Sequence, residues 1–189
     1  MNIPRNPILY PKVLLALLFT IIGATPAAAH SFNLMMVLPA SGIDKPLQDD
    51  LMQAFLLASQ ERDSHADETS DGHLGGLDVF ITFTTNPNQI KTADPNIIAT
   101  PLPGVDLIEI SGAAVMRAPK MTSDGVTRVL RAASDPSLTP FAQRFQATTG
   151  RMPGPEAKAV YVTARIIGRA VREAGGVADQ TLNLRLLSP

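Results

Sequence analysis

Ser41 and Gly42 are the residues best placed to bind a small molecule, because they follow directly on an apolar segment. That segment, Phe32–Leu38, carries no charge, and Pro39 ends it. A short uncharged run of this kind predicts a strand buried in a parallel sheet. In open α/β folds, ligands bind at the carboxyl edge of such a sheet. Ser41 and Gly42 are therefore candidate ligand-binding residues, although a plain tight turn would explain the same two residues.

The sequence offers little that could catalyse a reaction. Ser41 does not lie in a G-x-S-x-G nucleophile elbow. Neither an H-E-x-x-H zinc motif nor a phosphate-binding P-loop occurs. The chain has three histidines and no cysteine, so few general bases are available. We therefore expect neither enzymatic activity nor a bound cofactor.

Residues 1–29 have the composition of a cleavable secretory signal peptide. Arg5 and Lys12 make the start basic, and the nearly unbroken apolar run Val13–Gly23 follows. Ala27–Ala29 then supplies the small residues that a signal peptidase requires. The apolar run is roughly 11 residues long, shorter than the ~20 needed to span a bilayer. We therefore predict export to the periplasm with no membrane insertion after cleavage, and an uncleaved anchor is the alternative.

Cleavage of the signal peptide would leave His30 as the free N-terminal residue of the exported part, 30–189. Its amine and imidazole nitrogens suit copper, so a small periplasmic metal-binding protein is one alternative function. His65 and His73 would have to supply the further ligands. Both belong to the acidic polar stretch Glu61–His73, which does not match a calcium-binding loop and is more simply a solvated loop.

The composition of the chain limits its function classes. With a net charge of −1, nothing suggests a nucleic-acid partner or binding to an anionic membrane surface. An exported protein without cysteine is more typical of bacteria than of eukaryotes. The exported part is long enough for one domain with a core, but two full domains are not expected.

The residues after the first strand predict a β–α–β unit. Pro46 suits a helix start, and the helix N-terminus could receive the carboxylate of a ligand. Apolar residues at helical spacing give this helix one buried face: Leu47, Leu51, Ala54, Phe55 and Ala58. Gly75 and Gly76 make a turn, and Val79–Phe83 is β-branched and aromatic, which predicts a second strand. The order of elements indicates a three-layer α/β domain with a short, mostly parallel sheet.

The segment 86–103 differs from its surroundings, because it carries four prolines with asparagines between them. Proline removes hydrogen-bond donors and asparagine favours turns, so this segment is predicted to be a loop or linker. Val105–Ile110 follows it and has the composition of a third strand.

Three helices are expected in the C-terminal half. Ser123 is a candidate N-cap for the first, and Thr139 for the second, with Pro140 at its first position. Pro155 opens the longest helix, which glycines end at 175–176. Its predicted buried stripe comprises Val160, Ala164, Ile167 and Val171, and its predicted solvated arginines are Arg165, Arg169 and Arg172. The arginines could dock an acidic partner, but they are more simply the solvated face. The segment 181–187 fits either a strand or a short helix.

Two segments carry motifs in a particular order behind the predicted signal peptide. The first, Asn33–Phe83, contains the turn L-P-A-S-G, the helical sequence Q-A-F-L-L-A and the turn G-G-L. The second, Phe141–Gly176, contains the pair Phe141 and Phe145, then G-R-M-P and A-K-A-V-Y-V-T-A-R. Together they resemble the type I periplasmic solute-binding proteins of ABC transporters, in the branched-chain amino-acid class. The stretch 141–189 also resembles the subgroup that accompanies PQQ-dependent alcohol dehydrogenase systems.

The resemblance implies a periplasmic component of an ABC transport system for a small solute, such as an amino acid or an alcohol-oxidation product. An ABC permease or a second periplasmic chain would be its partner. Family members are much longer and have two lobes that close on the ligand, whereas this chain resembles one shortened lobe. We therefore expect the chain alone to bind solute weakly or not at all. The alternative is an interaction module that binds no solute in a periplasmic assembly.

Overall fold

The structure is a computed structural model that describes residues 31–62, 70–105, 129, 131–177 and 182. Its strands are β1 (Ser31–Val37), β2 (His73–Leu74), β3 (Leu77–Thr84) and β4 (Ile97–Ala99). Its helices are α1 (Lys45–Ser59), α2 (Ile90–Ala93), α3 (Thr139–Thr149) and α4 (Pro155–Ala174). Short 3₁₀ turns lie at Gln60–Arg62, Pro87–Gln89 and Pro136–Leu138.

The four strands form one mostly parallel sheet in the order β2-β3-β1-β4. The central strand β1 pairs in parallel with β3 and with β4, and β2 pairs antiparallel with β3. Leu34 of β1 lies opposite Ile81 on one side and Ile97 on the other. The predicted α/β fold with a short, mostly parallel sheet is confirmed.

The central strand is buried on both faces, as its uncharged sequence predicts. Leu34 and Met36 belong to the main core, which the sheet shares with α1, α3 and α4. Met35 and Val37 point the other way and pack against Ile90 of the short helix α2. The sheet therefore lies between two layers of unequal size: the long helices cover one face, and α2 contributes to the other.

Helix α4 is the longest described element and has the predicted orientation. Its apolar stripe is fully or almost fully buried: Val160, Ala164, Ile167 and Val171. Arg165, Arg169 and Arg172 are exposed, as expected for the opposite face. Tyr161 and Thr163 are buried as well. The helix buries this wider surface because it packs against α1 on one side and the β2–β3 hairpin on another.

The start of α1 agrees with the prediction, because Pro46 lies in its first turn, whereas the cap predicted for α3 differs from the observed one. Helix α1 is capped by Asp44, whose carboxylate accepts a hydrogen bond from the Leu47 N–H at 3.0 Å. Thr139 does not cap α3, because it lies inside the helix and its hydroxyl donates to the Pro136 carbonyl at 2.8 Å. The chain enters α3 through a 3₁₀ turn capped by Asp135, so no side-chain cap is needed at Thr139. Ser123, the other predicted cap, lies outside the described residues.

The proline-rich segment 86–103 is not the loop or linker that its composition predicts. It contains a 3₁₀ turn, α2 and strand β4, whose three residues are all buried. Pro87 opens the 3₁₀ turn and the other prolines fall outside the helix and the strand, so their missing N–H groups break no ladder. Pro95 precedes β4 and Pro101 follows it. The predicted third strand beyond this segment begins at Val105, which is not in a strand, and the rest of it lies outside the described residues.

Asn96 holds the start of β4 against the central strand. Its side-chain oxygen accepts a hydrogen bond from the Asn33 N–H at 2.8 Å. Its own N–H donates to the Asn33 carbonyl at 3.0 Å. The asparagine that suggested a loop therefore extends the pairing of β1 and β4 beyond the strand itself.

Gly75 and Gly76 form the predicted turn and join β2 to β3 in a tight hairpin. Their φ angles are +71° and +93°, which side chains rarely adopt. A Cβ on Gly75 would also lie 2.7 Å from the Gly168 carbonyl oxygen and 2.8 Å from Val171 Cβ. Glycine is therefore required at Gly75 both by the turn and by the close approach of α4, whereas Gly76 has open space around it.

Candidate functional site

A cavity of about 300 Å³ lies at the carboxyl edge of the sheet, where the turn after β1 meets the segment after β4. We call it the carboxyl-edge cavity. Most of its walls are apolar: Pro39, Ile43, Leu47, Leu102, Pro103 and Pro155. Its polar lining residues are Ser41, Gly42 and Glu156. This is the edge at which open α/β folds bind their ligands.

The two predicted ligand-binding residues, Ser41 and Gly42, both line this cavity. Both are exposed, and the φ angle of Gly42 is +83°, so the glycine also satisfies a left-handed turn. The structure thus brings the two residues to the expected edge. A part in ligand binding stays a prediction.

The carboxyl-edge cavity is shallow. Among its lining residues only Leu102 is buried, whereas Ser41, Gly42, Pro103 and Pro155 are exposed at the rim. Ligand pockets usually measure about 300–1,000 Å³ and bury about 70–90% of a drug-sized ligand. A cavity at the bottom of that range with an exposed rim can cover only part of a solute.

The N-terminus of α1 is not free to receive the carboxylate of a ligand. Asp44 already places its own carboxylate there, on the Leu47 N–H. Pro46 has no N–H to offer, and the Gln48 N–H donates to the Asp44 carbonyl at 3.0 Å. A ligand carboxylate at this terminus would therefore have to compete with that of Asp44, and its binding there stays a prediction.

The N-terminus of α4 reaches the same cavity and also carries a carboxylate of its own. Its N-cap is Gly154, which has no side chain to cap with, and Pro155 follows without an N–H. A carboxylate oxygen of Glu156 lies 3.2 Å from the position that a Gly154 Cβ would take. The carboxylate of Glu156 therefore lies at the positive end of the helix, where the helix dipole stabilises it.

A second polar group, which the sequence does not predict, joins three helical segments; we call Glu61, Arg144, Tyr161 and Arg165 the Glu61 cluster. One carboxylate oxygen of Glu61 accepts hydrogen bonds from Arg144 of α3 and from the hydroxyl of Tyr161 of α4. The other lies 3.7 Å from Nε of Arg165. The Glu61 side chain is 23% exposed, so it is ion-paired while still in contact with water, and residues 63–69 of the predicted solvated loop lie outside the described residues.

The phenol of Tyr161 is held in this cluster as a neutral donor. Its ring stacks on Phe141 with 4.0 Å between centroids, and the guanidinium of Arg165 lies 5.7 Å above it. Burial raises the pKa of Tyr161, and its hydrogen bond to Glu61 and that residue's charge raise it further, against the lowering effect of Arg165 and Arg144. The cluster therefore ties α3 and α4 to the end of α1. These contacts explain the Glu61 cluster by a structural role, which is to hold the helices together.

Arg151, in the G-R-M-P motif, forms a further tie between distant helices. Its guanidinium donates to the carboxylate of Asp50 on α1. Gly150, just before it, ends α3 with a φ angle of +74°. The motif residues Phe141, Arg151 and Tyr161 thus serve to join helices, and none of the three lines the carboxyl-edge cavity.

Only one of the three histidines, His73, lies within the described residues. His73 lies in β2, with Nε2 2.7 Å from the carboxylate of Asp78 on β3. His30 and His65 lie outside the described residues. Within the described ranges, no group of three or more His, Asp or Glu residues could hold a metal ion. The metal-binding alternative through His30 stays a prediction.

Comparison with models of known protein families, with curated proteins and with solved structures gives no match for this chain. Of the helices that the structure describes, none has the length and apolar character needed to cross a bilayer. The resemblance to periplasmic solute-binding proteins therefore stays a prediction made from the sequence.

Proposed function

We propose that the chain is a periplasmic, solute-binding-protein-like component of an ABC transport system for a small solute. In this proposal, the carboxyl-edge cavity is one half of the solute site. The observation that supports it best is the position of Ser41 and Gly42 at a cavity on the carboxyl edge of a parallel sheet. The order of the sequence motifs and the predicted signal peptide support it independently.

The shape of the cavity limits what the chain can do alone. The polar residues that line it are Ser41, Gly42 and Glu156. An ordinary hydrogen bond contributes about 0.5–1.5 kcal/mol net. Loss of translational and rotational freedom costs at least about 4 kcal/mol. A partly covered solute would therefore bind near millimolar affinity, and a tighter site needs a second surface. We expect an ABC permease or a second periplasmic chain to supply that surface.

Mapping a bound solute onto the chain tests this proposal. Backbone amide shifts would be followed by NMR while the exported chain is titrated with short branched alcohols and amines. We expect concentration-dependent shifts in residues 39–43 and 102–104, and none in the β2–β3 hairpin. The variant Ser41→Trp places a large side chain at the rim of the cavity and should abolish the shifts.

A control variant distinguishes blocking of the cavity from a general effect of adding a tryptophan to the surface. Ser137 is exposed and does not line the cavity, so Ser137→Trp should leave the titration unchanged. Shifts scattered over the surface, or shifts that survive in the Ser41→Trp variant, would contradict a solute site at this edge.

A further inference from the structure

We infer that the carboxyl-edge cavity selects a solute with an amine or other cationic group on a small apolar body, and disfavours a free carboxylate. This inference rests on the proposed function, because it names the class of solute for the same cavity. It differs from the solutes that the family resemblance implies, amino acids and alcohol-oxidation products, because both of those classes include carboxylates.

The charges around the cavity carry the inference. Glu156 is the one charged residue of the lining, and no Lys, Arg or His lines it. Among the cations near the cavity in sequence, Lys45 pairs with Asp49 and Arg151 pairs with Asp50, and Lys158 is not a lining residue. A ligand carboxylate would therefore approach a like charge and find no cation among the lining residues. Between charges a few ångströms apart near a protein surface, such an interaction is several times stronger than in bulk water.

The helix termini at this edge point to the same conclusion. Helix N-termini are the usual sites at which a fold binds an anion through backbone N–H groups. Here the two that adjoin the cavity carry the carboxylates of Asp44 and Glu156. An acidic ligand would have to compete with these carboxylates, whereas an ammonium group would find an acceptor in Glu156, which is a lining residue of the cavity.

The apolar lining residues suit the alkyl part of such a solute. Ile43, Leu47 and Leu102 offer apolar surface to a short branched alkyl group. An ammonium group has three donors and no acceptor. The Glu156 carboxylate and the Ser41 hydroxyl oxygen are acceptors of the kind that it requires. A volume of about 300 Å³ leaves room for a small solute of this kind.

The test compares three probes that share one branched carbon skeleton: 3-methylbutylamine, 3-methylbutan-1-ol and 3-methylbutanoate. Each is titrated into the exported chain at neutral pH and low ionic strength, and apparent Kd values are read from the Ser41 and Gly42 amide shifts. We expect the amine to bind at least about tenfold more tightly than the carboxylate, with the alcohol between them. Added salt should reduce this ratio, because Glu156 is only half-buried.

Two variants assign the preference to its cause. Glu156→Gln keeps the shape of the side chain and should bring the three Kd values to within about twofold of one another. Asp94→Asn makes the same change in net charge at the opposite edge of the sheet, before β4, and should keep the preference. Asparagine tolerates the left-handed conformation of Asp94, φ +43°, so this control should fold normally.

The outcomes separate the inference from the function on which it rests. A carboxylate that binds as tightly as the amine, or a preference that survives Glu156→Gln, would overturn the inference. Shifts of Ser41 and Gly42 with the alcohol would still support the proposed solute site in that case. Absence of shifts with all three probes would overturn both.

Discussion

Tyr161→Phe removes a single hydroxyl from the Glu61 cluster and leaves the packing of the ring in place. The residue is 2% exposed, and its ring stays stacked on Phe141. The lost hydroxyl donates a hydrogen bond to Glu61. The same hydroxyl accepts a hydrogen bond from Nη2 of Arg144 at 3.3 Å. The change therefore tests whether the cluster holds α4 to the end of α1, without creating a large cavity in the core.

The expected loss of stability follows from the partners that remain. A hydrogen bond to a charged group contributes about 1.5–3 kcal/mol net. Glu61 keeps its hydrogen bond from Arg144 and the proximity of Arg165, and it is partly exposed to water. We therefore expect Tyr161→Phe to lower the free energy of unfolding by about 1–2 kcal/mol, below the full value for a charged bond.

Urea unfolding of the exported chain followed by circular dichroism measures this loss. The midpoint should fall with little change in slope, because the surface exposed on unfolding is nearly the same. A double-mutant cycle with Glu61→Ala should give a coupling energy of about 1 kcal/mol between the two residues. Additive effects of the two changes would refute a direct interaction between Tyr161 and Glu61.

The same variant should change the response to alkaline pH. The pKa of Tyr161 is raised in the folded chain, through burial first and then the hydrogen bond to Glu61. The folded chain therefore holds this proton more tightly than the unfolded chain, whose tyrosine has a pKa of about 10. The resulting stabilisation is present below pH about 10 and is lost as the pH rises through the folded pKa. The stability advantage of the wild type over Tyr161→Phe should shrink in that range, and a constant advantage would contradict the shift.

Three further expectations concern the core, the hairpin and export. Ile167→Ala should lower the free energy of unfolding by about 2–5 kcal/mol, because the Ile167 side chain is fully buried. Arg169 is exposed, so Arg169→Ala should change it by no more than about 0.5 kcal/mol. Equal losses in urea unfolding would contradict the orientation of α4. Gly75→Ala should lower the midpoint of thermal unfolding more than Gly76→Ala does, because both glycines have positive φ but only Gly75 lies against α4. Similar midpoints for the two variants would contradict that close approach. Intact-mass analysis of the periplasmic fraction should find a chain beginning at His30, and recovery of the full-length chain from membranes would contradict cleavage.

The elements that the sequence predicts well are those with a strong local pattern. The uncharged sequence of β1 predicts that this strand is buried on both faces. The 3.6-residue spacing of apolar side chains predicts the orientation of α4. The hairpin turn follows from Gly75 and Gly76, because few other residues adopt positive φ. In each case, the residues that determine the structure lie next to one another in the chain.

Strand β4 was missed because its stabilising partner is distant in sequence. Three apolar residues between prolines carry too weak a local signal to outweigh the proline and asparagine content around them. Their burial depends on pairing with β1 and on the bonds between Asn96 and Asn33. Asp44, by contrast, was a local signal that could have been used, because aspartate before Lys-Pro at a helix start is a favoured N-cap.

The candidate site could be predicted only in part for the same reason. Ser41 and Gly42 were found because they follow a recognisable strand. Glu156 was not, since only the tertiary packing of α4 brings this residue to the cavity that the turn after β1 also lines. The Glu61 cluster joins residues separated by 83 and 100 positions, and the acidic composition around Glu61 suggests only a solvated loop. The tyrosine within the A-x-x-x-Y-x-x-A-R motif was the one sequence signal that could have drawn attention to this cluster.

The proposed function makes this chain one half of a solute site. Its most direct test is the affinity of the isolated, monomeric exported chain for free small solutes, including amino acids, with the monomer verified by light scattering. We expect a Kd no tighter than about millimolar, near −4 kcal/mol, because the rim of the carboxyl-edge cavity is exposed. A micromolar Kd from the monomer would contradict the half-site and would mean that this chain encloses its ligand without a partner.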